Sequence, residues 1–120
     1  MSINKLFVYG TLAPDRENAH ILKPIQGKWY KASMRGLLLP NGWGAALGYP
    51  AIIPKDSGEI VHGQIFESDD LDQHWQRIDE FEGEGYQRLV VQVLVESEKG
   101  DFYVDAYVYA LNGMDERIQF

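Results

Sequence analysis

Residues 7–12 read Phe7-Val8-Tyr9-Gly10-Thr11-Leu12, a short apolar strand that runs directly into Tyr-Gly-Thr-Leu. Gly10 allows the backbone to bend and allows another group to approach the main chain closely. Thr11 adds a hydroxyl group, and neighbouring N–H groups in such a turn can face an anion or a carbonyl oxygen. The turn is also compatible with an ordinary strand end, so its meaning depends on the rest of the chain.

Length and composition indicate one soluble unit. The 120 residues suit a single domain, 1–120, and a hydrophobic content of 45% with a mean hydropathy of −0.30 is typical of a globular chain. No apolar run is long enough to span a bilayer and no signal peptide is apparent, so we expect a cytoplasmic protein without a membrane partner. The absence of cysteine excludes disulfides, a cysteine nucleophile and thiolate metal sites.

The net charge of the chain and the spacing of its histidines argue against two further classes of function. A net charge of −7 and a pI of about 4.8 would repel a phosphate backbone, so nucleic acid is not an expected partner. The three histidines, His20, His62 and His74, show no spacing typical of metal ligands. We therefore expect neither a nucleic-acid interface nor a metal site.

Short strands dominate the pattern along the chain. The predicted strands cover residues 5–9, 29–39, 60–67, 86–96 and 102–109, with a short extended piece at 49–53. The polar segment 13–27 predicts a loop with one helical turn. The Gly-rich segment 42–48 predicts a surface loop, because its glycine spacing does not match a dinucleotide-binding turn. This pattern predicts an α+β fold with a mostly antiparallel sheet or small barrel.

One segment, residues 69–82, has helical periodicity. Ser68 can cap its first turn, and Gly83 is well placed to end it. Three acidic residues complement the positive end of the helix dipole, namely Asp69, Asp70 and Asp72. The apolar stripe consists of Leu71, Trp75 and Ile78, with Phe81 at its edge.

Glu82 is the unusual residue of this helix. It lies eleven positions after Leu71, so at about 100° per residue it returns to nearly the same side of the helix. Asp79 and Glu80 point away from that side. A carboxylate on the core-facing side is costly unless it is paired or neutral, and burial together with the helix dipole raises its pKa. A group of this kind suits general acid–base chemistry. The alternative is that Glu82 turns to solvent or pairs with Arg88.

Several motifs in order along the chain resemble the γ-glutamylcyclotransferase-like superfamily. The similarity is to its small YtfP/AIG2-like members, which include γ-glutamylamine cyclotransferase. The matching segments are Val8-Tyr9-Gly10-Thr11-Leu12, Tyr49-Pro50-Ala51, Val61-His62-Gly63-Gln64-Ile65-Phe66, Ile78-Asp79-Glu80-Phe81-Glu82-Gly83, Tyr86-Gln87-Arg88 and Val108-Tyr109.

The resemblance implies a fold, a site and a reaction. The fold is a small mixed, mostly antiparallel β-barrel with a few flanking helices. The loop of Tyr9, Gly10, Thr11 and Leu12 binds the glutamyl part of a small-molecule γ-glutamyl substrate, and Glu82 is the general acid and base. The substrate amine attacks its own γ-carbonyl, which gives 5-oxoproline and a free amine, and no cofactor is needed.

One departure from the family pattern bears on substrate choice. Many relatives carry a glycine and then an asparagine after the Tyr-Gly-Thr-Leu turn, whereas residues 13–17 intervene here and only Asn18 matches. For Tyr86 and Tyr109 we expect buried, hydrogen-bonded hydroxyls rather than ligand contacts, and for Arg88 a structural ion pair.

Other readings of the same residues stay open at this point. One is a binding module on the same fold that performs no chemistry. Another is a hydrolase that pairs Glu82 with Glu84 or Asp79, although residues so close in sequence do not readily span a sugar-sized cleft. Asp105 is either a second polar group of the site or simply exposed. The amine half of the substrate and the oligomeric state are not predicted.

Overall fold

The computed structural model describes residues 3–10, 12–42 and 48–117. Its strands are β1 (Lys5–Val8), β2 (Lys28–Leu39), β3 (Ala51–Pro54), β4 (Glu59–Glu67), β5 (Tyr86–Val95) and β6 (Phe102–Leu111). Over these residues the helical structure is one α-helix, α1 (Trp75–Glu82), and two 3₁₀ turns, Ala19–Ile21 and Leu71–Gln73. Thr11 of the predicted site and most of the predicted Gly-rich loop lie outside the described residues.

Five strands close into a barrel in the order β1–β4–β2–β5–β6, because β6 pairs back onto β1. The sixth strand, β3, pairs with both β2 and β6. The β1–β6 and β3–β6 pairs are parallel, and the other pairs are antiparallel. The predicted α+β class with a small mixed, mostly antiparallel barrel is therefore confirmed.

Strand β1 is buried on both of its faces. Phe7 points into the barrel interior, where it packs with Ile65, Val93 and Val108. Leu6 and Val8 point the other way and pack with the residues under α1. Burial of each such side chain stabilises the fold by about 1.5–3 kcal/mol. This double burial fixes the strand that leads directly into the Tyr9–Gly10 turn.

Gly63 shows why β4 can lie so close to β1. A side chain at this position would collide with the Val8 carbonyl oxygen, and its Cβ would lie 2.8 Å from the Phe7 ring. The glycine of the Val61–Phe66 motif is therefore required by the packing of the barrel. It also holds the end of β1, and with it the predicted substrate loop, in place.

The predicted helix over residues 69–82 is wrong at its start. Residues 71–73 form a separate 3₁₀ turn, and α1 begins only at Trp75. The Ser68 hydroxyl accepts a hydrogen bond from the Asp70 N–H (3.1 Å) just before the 3₁₀ turn, and it does not cap α1, whose N-terminus has no side-chain cap. Aspartate side chains form local hydrogen bonds that compete with those of a helix. The Asp72 carboxylate accepts a hydrogen bond from the Trp75 indole N–H at 3.2 Å.

The helices of the described ranges are short or polar. None of them combines the length and the hydropathy that crossing a bilayer would require. The helix α1 instead packs on the outside of the barrel, where Trp75 and Ile78 are buried against β1 and β6 side chains.

Candidate active site

A cavity of about 300 Å³ opens where β1, α1 and β6 end. Its lining comes from the end of β1 and the turn that follows, from the segment before β3, from the end of α1, and from two strand tyrosines: Leu6, Phe7, Val8, Tyr9, Gly10, Leu12, Asn18, Tyr49, Pro50, Phe81, Glu82, Tyr86 and Tyr109. Four of the five predicted site residues, Tyr9, Gly10, Leu12 and Glu82, thus border one space. The fifth, Thr11, lies outside the described residues.

Glu82 is the last residue of α1. It follows Trp75 by seven positions and Ile78 by four, so the helical period places it on the side that these two residues bury. The argument from Leu71 is wrong in detail, because Leu71 belongs to the 3₁₀ turn. Its conclusion, that Glu82 faces inward, holds because Trp75 and Ile78 define the same side.

Gly83 ends the helix directly after Glu82, as predicted. Its backbone angles, φ 76° and ψ −165°, lie in a region that is essentially restricted to glycine. Its N–H donates to the Asp79 carbonyl oxygen at 3.0 Å. The chain therefore leaves α1 sharply at this point, and Glu82 stays at the edge of the cavity.

The Glu82 side chain is half-buried, and its carboxyl group has no partner among the described residues. Within residues 3–10, 12–42 and 48–117, no group hydrogen bonds to it and no cation pairs with it. Burial raises its pKa to about 7 from an ordinary value of 4.5. A carboxyl group in this state can take up and return a proton near neutral pH.

Gly10 has neither of the usual structural reasons to be glycine. Its φ is not in the left-handed region, and a Cβ at this position would meet no atom within 4 Å. The bend at Gly10 therefore does not require glycine, and the missing side chain leaves open space beside the cavity. The N–H groups of Gly10 and Leu12 have no hydrogen-bond partner in the described part of the chain.

The Tyr9 side chain holds the turn at Gly10 against the barrel through hydrogen bonds. Its hydroxyl donates to the Tyr109 carbonyl oxygen (2.6 Å) and accepts from the Ile52 N–H (3.1 Å). Burial raises the pKa of Tyr9, and the nearby charges of Tyr86 and Glu82 raise it further. The position of Tyr9, and hence of Gly10, is fixed by contacts to both β6 and β3.

Tyr86 and Tyr109 combine the two roles that the sequence treats as alternatives. Their hydroxyls are hydrogen bonded within the protein, Tyr86 to the Pro50 carbonyl oxygen and Tyr109 to the Asp79 carboxylate, each at 2.6 Å. Both side chains nevertheless line the cavity. Burial and the Glu82 charge raise the pKa of Tyr86 to about 12.

Asp79 does not point away from the barrel, and that prediction is wrong. Its carboxylate accepts hydrogen bonds from Arg88 Nε (2.9 Å) and Nη2 (3.3 Å), and a third from the Tyr109 hydroxyl. The Arg88 guanidinium lies 4.5 Å from the ring centres of both Trp75 and Tyr107. The structural ion pair expected for Arg88 is thus present, and its partner is Asp79.

The other acidic candidates contribute little. Glu84 and Asp105 are exposed and do not line the cavity, and Asp79 is engaged by Arg88 and Tyr109. A hydrolase with paired carboxylates therefore finds no support in this geometry. Within the described ranges, no group of three or more His, Asp or Glu side chains could hold a metal ion.

The mouth of the cavity has two aromatic side chains that the site prediction omits. Tyr49 is 57% exposed and Phe81 is 41% exposed, although both line the cavity. Asn18, which matches the family pattern after the altered 13–17 segment, also lines it. Because Tyr49-Pro50 is part of a motif shared with the family, that motif could have indicated that Tyr49 lies at the site.

Comparisons with known proteins identify the family and the fold. A family model described as "Gamma-glutamyl cyclotransferase, AIG2-like" matches residues 6–119. A comparison with curated proteins found no match. Among solved structures, an AIG2-like protein from Mus musculus is 26% identical with a TM-score of 0.70, over 93% of this chain and 79% of that one.

Two further solved structures are similar to this chain. YkqA from Bacillus subtilis is 29% identical with a TM-score of 0.66, over 92% of this chain, which spans only 36% of the length of YkqA. A gamma-glutamyl cyclotransferase specific to glutathione from yeast is 15% identical with a TM-score of 0.57, over 88% of this chain and 67% of that one, a likeness of fold alone. Since the family model covers nearly all of the sequence, the chain belongs to the gamma-glutamyl cyclotransferase, AIG2-like family.

Proposed function

We propose that this protein is a γ-glutamylcyclotransferase-type enzyme that converts a γ-glutamyl amide to 5-oxoproline and a free amine. The observation that carries the proposal is the Glu82 carboxyl group. It is half-buried, it lacks a partner in the described residues, and it faces the same cavity as the Gly10 turn. Family membership supports the reaction class.

In this proposal the two sides of the cavity bind different ends of the glutamyl group. The N–H groups of Gly10 and Leu12 have no partner among the described residues, and such donors suit the α-carboxylate or a developing oxyanion. Thr11 completes the loop in the sequence. Glu82 on the opposite side then faces the α-amine and the γ-carbonyl carbon.

The reaction needs two proton transfers at Glu82 and no external nucleophile. Once the bound α-ammonium group has lost one proton to solvent, the neutral amine nitrogen attacks the γ-carbonyl carbon and forms the ring C–N bond, while Glu82 accepts the second proton that this nitrogen loses. The tetrahedral intermediate then collapses, and its bond to the leaving nitrogen breaks. Glu82 returns the proton to that nitrogen, so the products are 5-oxoproline and the amine, and Glu82 regains its starting state.

The altered pKa of Glu82 suits this exchange. An α-amino group has a pKa of about 8, so an ordinary carboxylate is a poor acceptor for its proton. Raising the carboxyl pKa from 4.5 to about 7 lowers the cost of that transfer by about 3 kcal/mol. The tethered nucleophile contributes separately, because well-oriented intramolecular attack removes about 7–11 kcal/mol of barrier.

The test is a product assay with purified protein. γ-Glutamyl peptides, γ-glutamyl alkylamines and γ-glutamyl-ε-lysine are supplied in turn, and 5-oxoproline and free amine are quantified together. We expect equimolar products from at least one class, and a loss of about 10³-fold or more in Glu82→Gln, since general acid–base groups contribute about 10²–10⁴-fold.

Glu80→Gln is the matched control for this assay. Glu80 lies on the exposed side of the same helix, so its replacement removes one charge without touching the cavity. This variant should keep the wild-type rate. An unreduced rate in Glu82→Gln would overturn the role of Glu82. Ligand binding by the wild type without any product would favour the binding module instead.

A further inference from the structure

Four tyrosines line the cavity, and the three that are not exposed, Tyr9, Tyr86 and Tyr109, have their hydroxyl protons committed, whereas Tyr49 is exposed at the mouth. Tyr9 and Tyr86 donate to backbone carbonyl oxygens, and Tyr109 donates to the Asp79 carboxylate. A carbonyl oxygen or an ionised carboxylate can only accept a hydrogen bond. Each hydroxyl must therefore act as the donor in its own pair, and none has a second proton to offer to a ligand.

What remains on these hydroxyls is acceptor capacity. Tyr9 uses one acceptor position for the Ile52 N–H, whereas no protein donor in the described residues reaches the hydroxyls of Tyr86 and Tyr109. The Glu82 charge raises the pKa of all three tyrosines, so their hydroxyls lie within its electrostatic reach. The hydroxyls of Tyr9, Tyr86 and Tyr109 thus present acceptors only to the cavity.

The orientation of Tyr109 depends on a fixed acceptor outside the cavity. Asp79 is held by two hydrogen bonds from Arg88, whose guanidinium lies over the Trp75 and Tyr107 rings. Asp79 itself does not line the cavity. A carboxylate that accepts two hydrogen bonds from an arginine is held in place, so the Tyr109 hydroxyl proton is directed towards it and away from the cavity.

We propose that Asp79 is a positioning residue that turns Tyr109 into a hydrogen-bond acceptor, and that Tyr109 and Tyr86 select the α-ammonium group of the substrate. The inference rests on the proposed function for the identity of the ligand. The charge pattern of the site supports it. Acceptors on the Glu82 side suit a cation, and the N–H groups of Gly10 and Leu12, which lack a partner in the described part of the chain, suit the carboxylate of the same amino acid.

The experiment compares two ligands that differ only in the α-amine. L-Glutamine is a γ-glutamyl amide, and 4-carbamoylbutanoic acid is the same molecule without the amine. Binding of both is measured by titration calorimetry in the Glu82→Gln protein, which prevents turnover. We expect glutamine to bind at least about 10-fold more tightly, the scale of hydrogen bonds to a charged group.

Two variants in this background test the path from Asp79 to the ligand. Tyr109→Phe removes the acceptor without a change of charge. Asp79→Asn replaces it with a group that can donate to Tyr109 and so release the hydroxyl proton towards the cavity. Each should reduce the preference for glutamine about 10-fold and change the affinity for 4-carbamoylbutanoic acid less than about 2-fold. The double variant should match Tyr109→Phe alone.

Tyr103→Phe is the matched control, because Tyr103 is 67% exposed and lies outside this cavity. It should leave the preference unchanged. Additive losses in the double variant would overturn the path through Tyr109, and a preference that survives Tyr109→Phe would overturn the acceptor role. If the wild type still forms 5-oxoproline in that case, only this inference fails. If the preference behaves as expected but no product forms, only the cyclisation fails.

Discussion

Replacing Glu82 by Gln should stabilise the fold at high pH and leave it nearly unchanged at low pH. Below pH 4.5 the carboxyl group is protonated in both folded and unfolded chains, and Gln has nearly the same shape. Between pH 4.5 and 7 the unfolded chain releases this proton while the folded chain keeps it. Because the folded state then binds more protons, the free energy of unfolding of the wild type falls as pH rises.

The size of the effect follows from the pKa. The rise from 4.5 to about 7 is worth about 3 kcal/mol, which is reached above pH 7, and about 2 kcal/mol of it is present at pH 6. Glu82→Gln has no carboxyl group to ionise and escapes this cost. Its advantage over the wild type should therefore grow from near zero at pH 4 to about 3 kcal/mol at pH 8.

The assay is urea unfolding of both proteins at intervals from pH 4 to 8, followed by fluorescence of the three tryptophans. Only the difference between the two curves is used, because other groups contribute equally to both. Glu80→Gln reports the effect of removing an exposed negative charge from the same helix. Parallel curves for the wild type and Glu82→Gln would refute the reasoning, since they would mean that Glu82 ionises as easily folded as unfolded.

Three further predictions concern the site and its frame. Gly10→Ala should change the free energy of unfolding by less than about 0.5 kcal/mol yet raise KM, whereas Gly63→Ala should cost several times more in urea unfolding because its side chain meets Val8; equal costs would contradict this. Gly83→Ala should cost about 1–3 kcal/mol, since nothing crowds Gly83 and the penalty comes from its backbone angles alone; an unchanged urea midpoint would contradict it. The kcat/KM of the wild type should rise with pH through about 7 as Glu82 ionises; a profile that falls across this range would count against Glu82 as the base.

Local periodicity was enough to predict the strands, although it left open whether they form a sheet or a closed barrel. Strands β5 and β6 appear in the sequence as two runs with an apolar residue at every second position, separated by a polar turn. Each strand boundary falls within two residues of its prediction. The start of α1 was not predictable from the apolar stripe, because Leu71 keeps helical spacing while belonging to a 3₁₀ turn.

Within the site, too, features set by one helix were predictable and features set by contacts between elements were not. The inward face of Glu82 follows from its spacing to Ile78, which is a property of one helix. The orientation of Asp79 depends instead on Arg88 from β5 and Tyr109 from β6. These partners come from strands that the barrel brings to the helix, and no pattern within residues 75–82 reveals them.

The most direct measurement is a crystal structure of the Glu82→Gln protein soaked with a γ-glutamyl amide. The account predicts that the glutamyl group lies in the cavity, with its carboxylate within hydrogen-bond distance of the Gly10 and Leu12 N–H groups. Its γ-carbonyl carbon should then lie beside residue 82 and its amine beside Tyr109. A ligand bound away from both Gly10 and residue 82 would contradict the central claim.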